Sequence, residues 1–282
     1  MYIKGRKISS SPLCITLTNG GEAVALRALF FDFGGTLDIY PHVRENSIAA
    51  AGSMLSILKA SGLKLSRAYT NEEFFSLVSK NISPYRVWKH TSLIELPELT
   101  VWQEYILKDE PDRMSLDAET AAELTYLIDN GFHTRSVRPE VREALESCAR
   151  FGLKLGVISN VLSSLQVPRD LERHGIAEFF DPVVTSACYG RLKPHPSIFH
   201  HAASMAGVDP SEAIYIGNSP KKDVKGSRDA GFMASVLIHY QHTIKDDLLE
   251  KTHPDFTITN LMELPPIVEQ LLSEEAAAQE TL

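Results

Sequence analysis

The stretch LFFDFGGTLD, residues 29–38, places one carboxylate, that of Asp32, directly after a run of apolar residues. Two glycines and a threonine follow it within four residues. An unbroken apolar run is typical of a parallel strand that is buried on both faces, and glycines allow a tight turn after it. We therefore expect Asp32 at the carboxyl end of a core strand, where open α/β sheets bind their ligands.

Five further apolar segments have the length and composition of core strands. They are Leu153–Ser159, Pro182–Thr185, Ala213–Gly217, Ala234–Ile238 and Phe256–Ile258. Helical periodicity marks the segments between them, including VREALESCARFG with Pro139 at its first helical position, Ser197–Ala206 and Val224–Ala230. Together with the strand at Ala28–Asp32, this alternation predicts an α/β fold, a doubly wound parallel sheet of the Rossmann-like kind.

The residues from about 41 to 136 interrupt this alternation, because they have helical periodicity alone. The helices predicted there are His42–Ala60, Asn71–Ser79, Glu98–Lys108 and Leu116–Asn130. Thr70 and Glu73 have the spacing of a capping box at the start of the second helix. An insert that directly follows the first strand would cover the carboxyl ends of the sheet as a helical cap domain. The predicted division is an N-terminal extension of 1–25, an α/β core of 26–40 and 137–272, a helical cap of 41–136 and a C-terminal tail of 273–282.

Composition and charge exclude several classes of function. The 282-residue chain has a formal net charge of −8, so we expect no nucleic-acid partner, since duplex-binding proteins usually present a basic face. No apolar run approaches the roughly 18 residues that cross a bilayer, so no membrane partner is expected. The N-terminal residues, with a short strand predicted at Cys14–Thr18, lack the apolar segment of a signal peptide. Three scattered cysteines favour a reducing cytoplasm.

Polar side chains occur in four stretches that end predicted strands or precede helices. These side chains are Asp32, Ser159 and Asn160, Lys193, and the pair Asn218 and Asp223. A carboxylate, a hydroxyl and an ammonium that converge on one sheet edge suit an aspartate nucleophile acting on a small anionic substrate. Asp32 is then the expected nucleophile, Lys193 holds the two anions together, and Ser159 donates to the substrate.

Further contacts are expected from the turn after the first strand. Thr36, the backbone of Gly35 and Asn160 are assigned to substrate binding, because hydroxyl, amide and backbone N–H groups bind anionic oxygens. Asp223 is expected to help hold a divalent cation, since carboxylate oxygens are preferred ligands of Mg²⁺.

The motifs DFGGTL, VISN, LKPHPSIF and IGNSPKKD, in this order, resemble the haloacid dehalogenase-like hydrolase superfamily. Most of its members are magnesium-dependent phosphatases. The resemblance runs from about Leu26 to Leu272, and the family places a cap domain where the helical insert lies. It implies hydrolysis of a small phosphorylated metabolite through an aspartyl-phosphate on Asp32, with Mg²⁺ as the cofactor.

Two positions depart from the pattern of the family's phosphatases. These enzymes usually have a second aspartate two residues after the nucleophile, which protonates the leaving alkoxide and then activates water, but Gly34 stands there. General acid–base groups contribute about 10²–10⁴-fold in rate. The phosphatases also usually have aspartate in place of Asn218. The resemblance then implies a weakly bound Mg²⁺ whose ligands are Asp32, the Gly34 carbonyl, Asn218 and Asp223.

The missing acid leaves other reactions open. A leaving group that is a weak base, such as a halide or the carboxylate of an acyl phosphate, needs no proton. Related dehalogenases also lack the second aspartate and have tyrosine there. Phosphonoacetaldehyde hydrolases have a small residue there and use a cap lysine, for which Lys59, Lys80 and Lys89 are the candidates. A catalytically silent protein, kept as a binding or regulatory module, is the third alternative.

The segment SPYRVWKH, residues 83–90, is the candidate for recognition of the leaving group. Arg86 could clamp an anion there, because a guanidinium binds carboxylate or phosphate through two parallel hydrogen bonds. The alternative is an amphipathic helical surface whose aromatic side chains pack inward and whose charges are solvated.

Overall fold

Six parallel strands form the central sheet of the computed structural model, which describes residues 18–19, 22–23, 25–239 and 251–279. In chain order they are β1 (Ala28–Phe31), β2 (Lys154–Ser159), β3 (Val183–Thr185), β4 (Ala213–Gly217), β5 (Ala234–Ile238) and β6 (Phe256–Ile258). Their order across the sheet is β6–β5–β4–β1–β2–β3. The predicted doubly wound α/β fold is confirmed, and each predicted strand agrees with the structure to within one residue at either end.

Strand β1 lies at the centre of the sheet and is buried on both faces. All of its residues are buried, and it pairs with β2 on one side and with β4 on the other. Phe31 is in register with Val157 and with Ile216. The backbone N–H of Asp32 extends this pairing by donating to the Ile216 carbonyl over 2.8 Å. The register therefore brings Asp32 beside the carboxyl ends of β2 and β4.

Helices occupy most of the insert between β1 and β2. In chain order they are α1 (Arg44–Ala60), α2 (Asn71–Ser92), α3 (Glu98–Val101), a π-helical turn (Trp102–Ile106) and α4 (Ala118–Asp129). Their apolar residues form a hydrophobic cluster separate from the two clusters on the faces of the sheet. This arrangement agrees with a helical cap, whose boundaries at residues 41 and 136 stay a prediction.

Helix α2 begins as predicted and ends much later. The Thr70 hydroxyl accepts the backbone N–H of Glu73 over 3.2 Å, and the Glu73 carboxylate accepts the N–H of Thr70 over 2.8 Å, which is the predicted capping box. The helix was predicted to end at Ser79, yet it continues through Pro84. The continuation is stabilised by packing, because the next residue, Tyr85, is fully buried in the cap cluster.

The other cap helices differ from the prediction at their ends. Helix α1 begins at Arg44, two residues after the predicted start. The helix predicted at Glu98–Lys108 is divided into α3 and the π-helical turn. Helix α4 begins at Ala118, because the Asp117 carboxylate accepts the backbone N–H of Thr120 over 2.8 Å and so acts as the N-cap.

The helices of the core pack on both faces of the sheet. They are α5 (Val141–Ala149), α6 (Gln166–Arg173), α7 (Ser186–Tyr189), α8 (Pro196–Ala206), α9 (Gly226–Asp229) and α10 (Leu264–Gln279). Pro139 is not the first helical residue of α5, since Glu140 is its N-cap. The helix predicted at Val224–Ala230 consists of the end of a π-helical turn, Pro220–Lys225, and α9. No helix within the described ranges is long and apolar enough to cross a membrane.

Two short antiparallel strand pairs lie outside the central sheet. Asp38–Ile39 pairs with Ser136–Val137, where the chain enters and leaves the cap. Thr18–Asn19 pairs with Glu22–Ala23. Of the strand predicted at Cys14–Thr18, all but the last residue lies outside the described residues.

One further connection between the cap and the core lies far in sequence from the two chain crossings. The N–H of Leu192 donates to the Leu93 carbonyl and the N–H of Glu95 donates to the Gly190 carbonyl, both over 3.1 Å. The Ser186 hydroxyl also donates to the Glu95 carboxylate over 3.0 Å. We call the paired segments 93–95 and 190–192 the strap.

Candidate functional site

Asp32 lies at the carboxyl end of β1 and is held on one oxygen by three donors. Its Oδ1 accepts the backbone N–H of Phe33 over 2.7 Å, the Ser159 hydroxyl over 3.0 Å and the Lys193 ammonium over 3.0 Å. The side chain keeps 13% of its surface exposed and lines a cavity between cap and core. Burial raises the pKa of Asp32 above its ordinary value, and the Lys193 ammonium opposes that rise. The carboxylate is therefore fixed in orientation while one edge stays accessible.

Lys193 is buried, and all of its hydrogen-bonding capacity is used. Its Nζ donates to the Tyr215 hydroxyl over 2.6 Å, to Asp223 Oδ1 over 2.8 Å and to Asp32 over 3.0 Å. An ammonium has three donors, so this set is complete. Burial lowers the pKa of Lys193, but the carboxylates of Asp223 and Asp32 outweigh it and hold the pKa above its ordinary value. Lys193 thus stays charged and links the predicted nucleophile to the loop after β4.

Asp223 has both carboxylate oxygens occupied by donors of the protein. Oδ1 accepts from Lys193, while Oδ2 accepts the backbone N–H of Asn218 over 3.0 Å and that of Ser219 over 2.8 Å. The carboxylate lies so close to Gly217 that a Cβ there would be 2.5 Å from an Asp223 oxygen. Asp223 is 1% exposed and does not line the cavity. The role of Asp223 as a metal ligand therefore stays a prediction, and in this structure its carboxylate is held by donors of the protein.

The remaining predicted ligands do fit a magnesium ion. The Asn218 amide lies 3.1 Å from the Gly34 carbonyl oxygen and 3.2 Å from Asp32 Oδ2. With its nitrogen on this side, the amide donates to both oxygens. With its oxygen there, the Asn218 oxygen lies about 3 Å from the Gly34 carbonyl oxygen and from Asp32 Oδ2. This is the distance between neighbouring ligand atoms around Mg²⁺. This set contains one carboxylate, whereas Mg²⁺ is usually bound by one or two. The ion usually also keeps several waters. Within the described residues no group of three His, Cys, Asp or Glu side chains could hold a metal ion.

The ring of Tyr40 occupies the space that an acid at position 34 would need. A Cβ at Gly34 would lie 3.1 Å from the Tyr40 ring, which is closer than most side-chain contacts. The Arg135 guanidinium lies 4.8 Å above the centre of this ring, and His133 contacts its edge. The space where an acid at position 34 would lie is thus filled by the Tyr40 ring, which packs against the backbone of the turn.

Two predicted substrate contacts, Gly35 and Thr36, do not line the cavity. The N–H of Gly35 donates to the Asp38 carbonyl over 3.0 Å, and φ at Gly35 is +82°, which favours glycine. Thr36 is fully buried, and its hydroxyl has no hydrogen-bond partner within the described residues. The turn folds back on Asp38, so these two residues shape the loop and do not reach the cavity.

Asn160 lines the cavity, but its amide is used to hold Lys193. Its Nδ2 donates to the Lys193 carbonyl over 2.9 Å, and its Oδ1 accepts the Lys193 N–H over 2.8 Å. This pair of bonds fixes the loop that carries the ammonium. The contact of Asn160 with substrate stays a prediction, and in this structure its amide has a positioning contact with Lys193.

Sequence reasoning missed most of the cavity wall. The cavity has a volume of about 360 Å³. Five of the missed polar wall residues are Tyr40, Asp129, His133, Arg135 and Gln166. They lie where the chain enters and leaves the cap and at the start of α6, in segments without a recognisable motif. Tyr215 accepts a hydrogen bond from the Lys193 ammonium. The one feature of the sequence that could have indicated this role is its hydroxyl, the single polar group among the side chains of β4.

These wall residues form a partly buried polar layer. Asp129 Oδ2 accepts the backbone N–H groups of Leu162 and Ser163, both over 2.8 Å. Burial, followed by the charge of Arg135, lowers the pKa of His133 to about 4, so this imidazole is neutral at pH 7. The Oε1 of the fully buried Gln166 has no partner within the described residues. His133 and Gln166 therefore offer uncharged groups to a ligand from this part of the wall.

The cap also contributes basic side chains to the cavity. Arg86, Lys89 and His90 of α2 line it, together with Lys222 of the loop after β4. Lys89 donates to both oxygens of the buried Glu95 over 3.0 Å. The other two candidate cap lysines, at positions 59 and 80, do not line the cavity.

Comparison with known proteins agrees with this geometry. A family model of haloacid dehalogenase-like hydrolases matches residues 26–231. The glyceraldehyde 3-phosphate phosphatase of Methanothermobacter thermautotrophicus is 29% identical over 234 residues, which are 83% of this chain and 95% of the relative. That of Methanocaldococcus jannaschii is 33% identical over 133 residues, and the match spans 47% of this chain and 57% of the relative's length.

A solved structure is similar over nearly its whole length. The crystal structure of a 2-haloacid dehalogenase from Pseudomonas syringae superposes with a TM-score of 0.58 at 25% identity. The superposition covers 87% of this chain and 99% of the other. The match includes the cap as well as the sheet.

Proposed function

The chain belongs to the haloacid dehalogenase-like hydrolase family, and on that premise we propose that it is a phosphatase acting on a small phosphorylated metabolite. The proposed intermediate is an aspartyl-phosphate on Asp32. One observation carries the proposal: Oδ1 of this carboxylate is held by three donors while the side chain still borders a cavity. The names of the two archaeal relatives support a phosphorylated substrate of small size.

In the proposed reaction the Asp32 carboxylate attacks phosphorus, the ester oxygen leaves, and water then hydrolyses the acyl phosphate. Ser159 and the Phe33 N–H hold the carboxylate in place, so little reorganisation is needed before attack. Lys193 balances the negative charge that Asp32 and the phosphate bring together. Mg²⁺, held by Asp32, the Gly34 carbonyl and the Asn218 amide oxygen, would supply positive charge to the phosphate oxygens.

Among the described residues, the cavity has no spare carboxylic acid to protonate the leaving oxygen. Asp32 and Asp129 are the carboxylates among the described residues that line the cavity, and Asp129 Oδ2 already accepts two backbone N–H groups. Alkoxides are strong bases and leave slowly without a proton. We therefore propose that the preferred substrates are phosphates with a good leaving group, such as acyl or aryl phosphates.

Hydrolysis of a carbon–halogen bond is a second candidate function. Related dehalogenases carry a tyrosine two residues after the nucleophile, and here the Tyr40 ring lies against Gly34 at that place. The structure of the Pseudomonas syringae 2-haloacid dehalogenase supports the same candidate. Halide is a weak base, so this reaction needs neither the missing acid nor Mg²⁺.

The test is phosphate release from acetyl phosphate and p-nitrophenyl phosphate, measured with Mg²⁺ or with EDTA. We expect release that requires Mg²⁺ and that Asp32→Asn abolishes. Asp109→Asn, which removes an exposed carboxylate, is the matched control and should keep full activity. Release that survives Asp32→Asn would contradict the proposal. Halide release from 2-chloropropionate in EDTA would favour the second candidate, and no turnover of any substrate would leave the silent binding module.

We also propose a cytoplasmic location. The described cysteines, Cys148 and Cys188, are both free, which agrees with a reducing compartment. The negative net charge supports the expectation that neither nucleic acid nor a membrane surface is a partner.

A further inference from the structure

Two cations at the mouth of the cavity have no counter-charge. Arg86 of α2 and Lys222 of the loop after β4 line the cavity from the cap and from the core. Within residues 25–239 and 251–279 neither forms a salt bridge, whereas Lys89, Arg135 and Lys193 around the same cavity are all paired. Unpaired cations that face one cavity attract an anion to it.

His90 shows that these charges act on one another. It lines the same cavity and lies four residues after Arg86, so both side chains share one face of α2. Burial lowers the pKa of His90, and the positive charges of Lys222, Lys89, Lys221 and Arg86 lower it further. Like charges gathered at one place raise the free energy of the empty protein, and an anion between them removes that cost.

The positions of the two cations are fixed by the fold. Arg86 lies beyond Pro84, in the part of α2 that the buried Tyr85 anchors in the cap. The backbone N–H of Lys222 donates to the Ser219 hydroxyl over 3.1 Å, in the π-helical turn that also carries Asp223. Arg86 and Lys222 are thus held on rigid segments on two sides of the cavity that contains Asp32.

We propose that Arg86, His90 and Lys222 form a second anion site over Asp32, so that the substrate carries a second anionic group besides its phosphate. This inference rests on the proposed function. A carboxylate or a second phosphate would satisfy the site, because a guanidinium binds either through two hydrogen bonds. The cavity of about 360 Å³ is at the small end for ligand sites, which restricts the substrate to a small metabolite.

Binding of substrate analogues that are not hydrolysed tests the inference. Phosphonoacetate and phosphonoacetamide have the same phosphonate and differ in the second charge. We would measure both by titration calorimetry with wild type, Arg86→Gln and Lys222→Gln, at the same excess of Mg²⁺ in cell and syringe. Lys80→Gln removes an exposed cation from the same helix outside the cavity and is the matched control.

Wild type should prefer phosphonoacetate to phosphonoacetamide by roughly tenfold or more, and Arg86→Gln and Lys222→Gln should each reduce this preference by roughly tenfold. Lys80→Gln should keep it. Equal affinities in wild type, an equal loss in Lys80→Gln, or no binding of either analogue would overturn the inference. Methylenebisphosphonate, used in addition, shows whether a carboxylate or a phosphonate binds more tightly at the second site.

The outcome is independent of turnover. If acetyl phosphate is not hydrolysed but phosphonoacetate is preferred, the phosphatase proposal fails and the anion site stands. If hydrolysis requires Asp32 but the two analogues bind equally, the anion site fails and the phosphatase stands. Because Arg86 is exposed and Lys222 is half-buried, neither substitution should prevent folding, and thermal unfolding of each variant checks this.

Discussion

Two regions of the cavity, its floor and its rim, differ in whether their charged groups are paired. The floor consists of Asp32, Lys193 and Asp223 with the hydroxyls that support them, and every charged group there has its partners within 3.0 Å. The rim consists of Arg86, His90 and Lys222, and the structure shows no salt bridge for Arg86 or Lys222 within its described ranges. Both regions border the same 360 Å³.

Burial explains the difference. An unpaired charge in the floor would cost several kcal/mol, because it would be removed from water without compensation. The cations of the rim remain in contact with solvent, so they can stay unpaired at a small cost. A protein can therefore hold its reactive carboxylate rigidly and leave charged groups free for a ligand, provided that the two regions differ in exposure.

Replacing one lysine in each region should give the largest contrast. Lys193→Met leaves the Asp32 and Asp223 carboxylates buried without a cation, and we expect a loss of about 3–5 kcal/mol in the free energy of unfolding. Lys222→Met removes a cation that has no partner, and we expect a change within about 0.5 kcal/mol. Urea denaturation of both variants beside wild type measures the two values. Equal losses would show that the rim is as tightly coupled to the fold as the floor.

An acid restored at position 34 should have the next largest effect, which is an increase in the rate of hydrolysis. Gly34→Asp is compatible with the backbone, since φ at Gly34 lies outside the left-handed region, but its Cβ would press on Tyr40. We expect the double variant Gly34→Asp, Tyr40→Ala to hydrolyse a simple alkyl phosphate such as glycerol 3-phosphate about 10²-fold faster than wild type.

The matched control for this gain is Gly34→Asn, Tyr40→Ala, which has the same shape but cannot transfer a proton. Its rate on glycerol 3-phosphate should stay at the wild-type level. A gain in both double variants would assign the effect to removal of the tyrosine ring and not to the acid. Gly34→Asp alone should gain less than the double variant, because the Tyr40 ring restricts the new side chain.

The smallest expected effect concerns the mutual repulsion in the rim. Positive charge from Lys222 is the largest electrostatic contribution that lowers the pKa of His90, after burial. Lys222→Met should therefore raise the pKa of His90, as measured by NMR titration of the imidazole carbon resonances. Lys64→Met, an exposed lysine outside the cavity, should leave it unchanged. An unchanged titration in both variants would place Lys222 too far from His90 to share a ligand with it.

The floor was largely predictable from the sequence. Asp32, Ser159 and Lys193 follow apolar strands or precede a helix, and the rules of parallel sheets place the carboxyl ends of adjacent strands at one edge. The structure brings these three side chains together, while their roles stay a prediction. The role of Asp223 at a metal also stays a prediction, and a sequence does not show which of its oxygens a neighbouring backbone N–H holds.

The wall and the rim were less predictable because they depend on tertiary packing. His133 and Gln166 reach the cavity that Asp32 lines only through tertiary packing, and no local pattern signals that placement. Helix α2 was predicted to end at Ser79, and proline at position 84 disfavours a longer helix because it lacks the N–H that a helix interior uses. Burial of Tyr85 outweighs that preference, and with it Arg86 is carried to the cavity.

The strap gives the protein a property that concerns motion. A cap that opens by rotation about its two chain crossings must first break the bonds of Leu192 with Leu93 and of Glu95 with Gly190 and Ser186. The strap therefore acts as a latch on that rotation. A cycle of substrate entry and product departure that required the rotation would include the breaking and re-forming of these bonds. The frequency of that local opening would then set an upper limit on turnover, whatever the speed of the chemistry at Asp32.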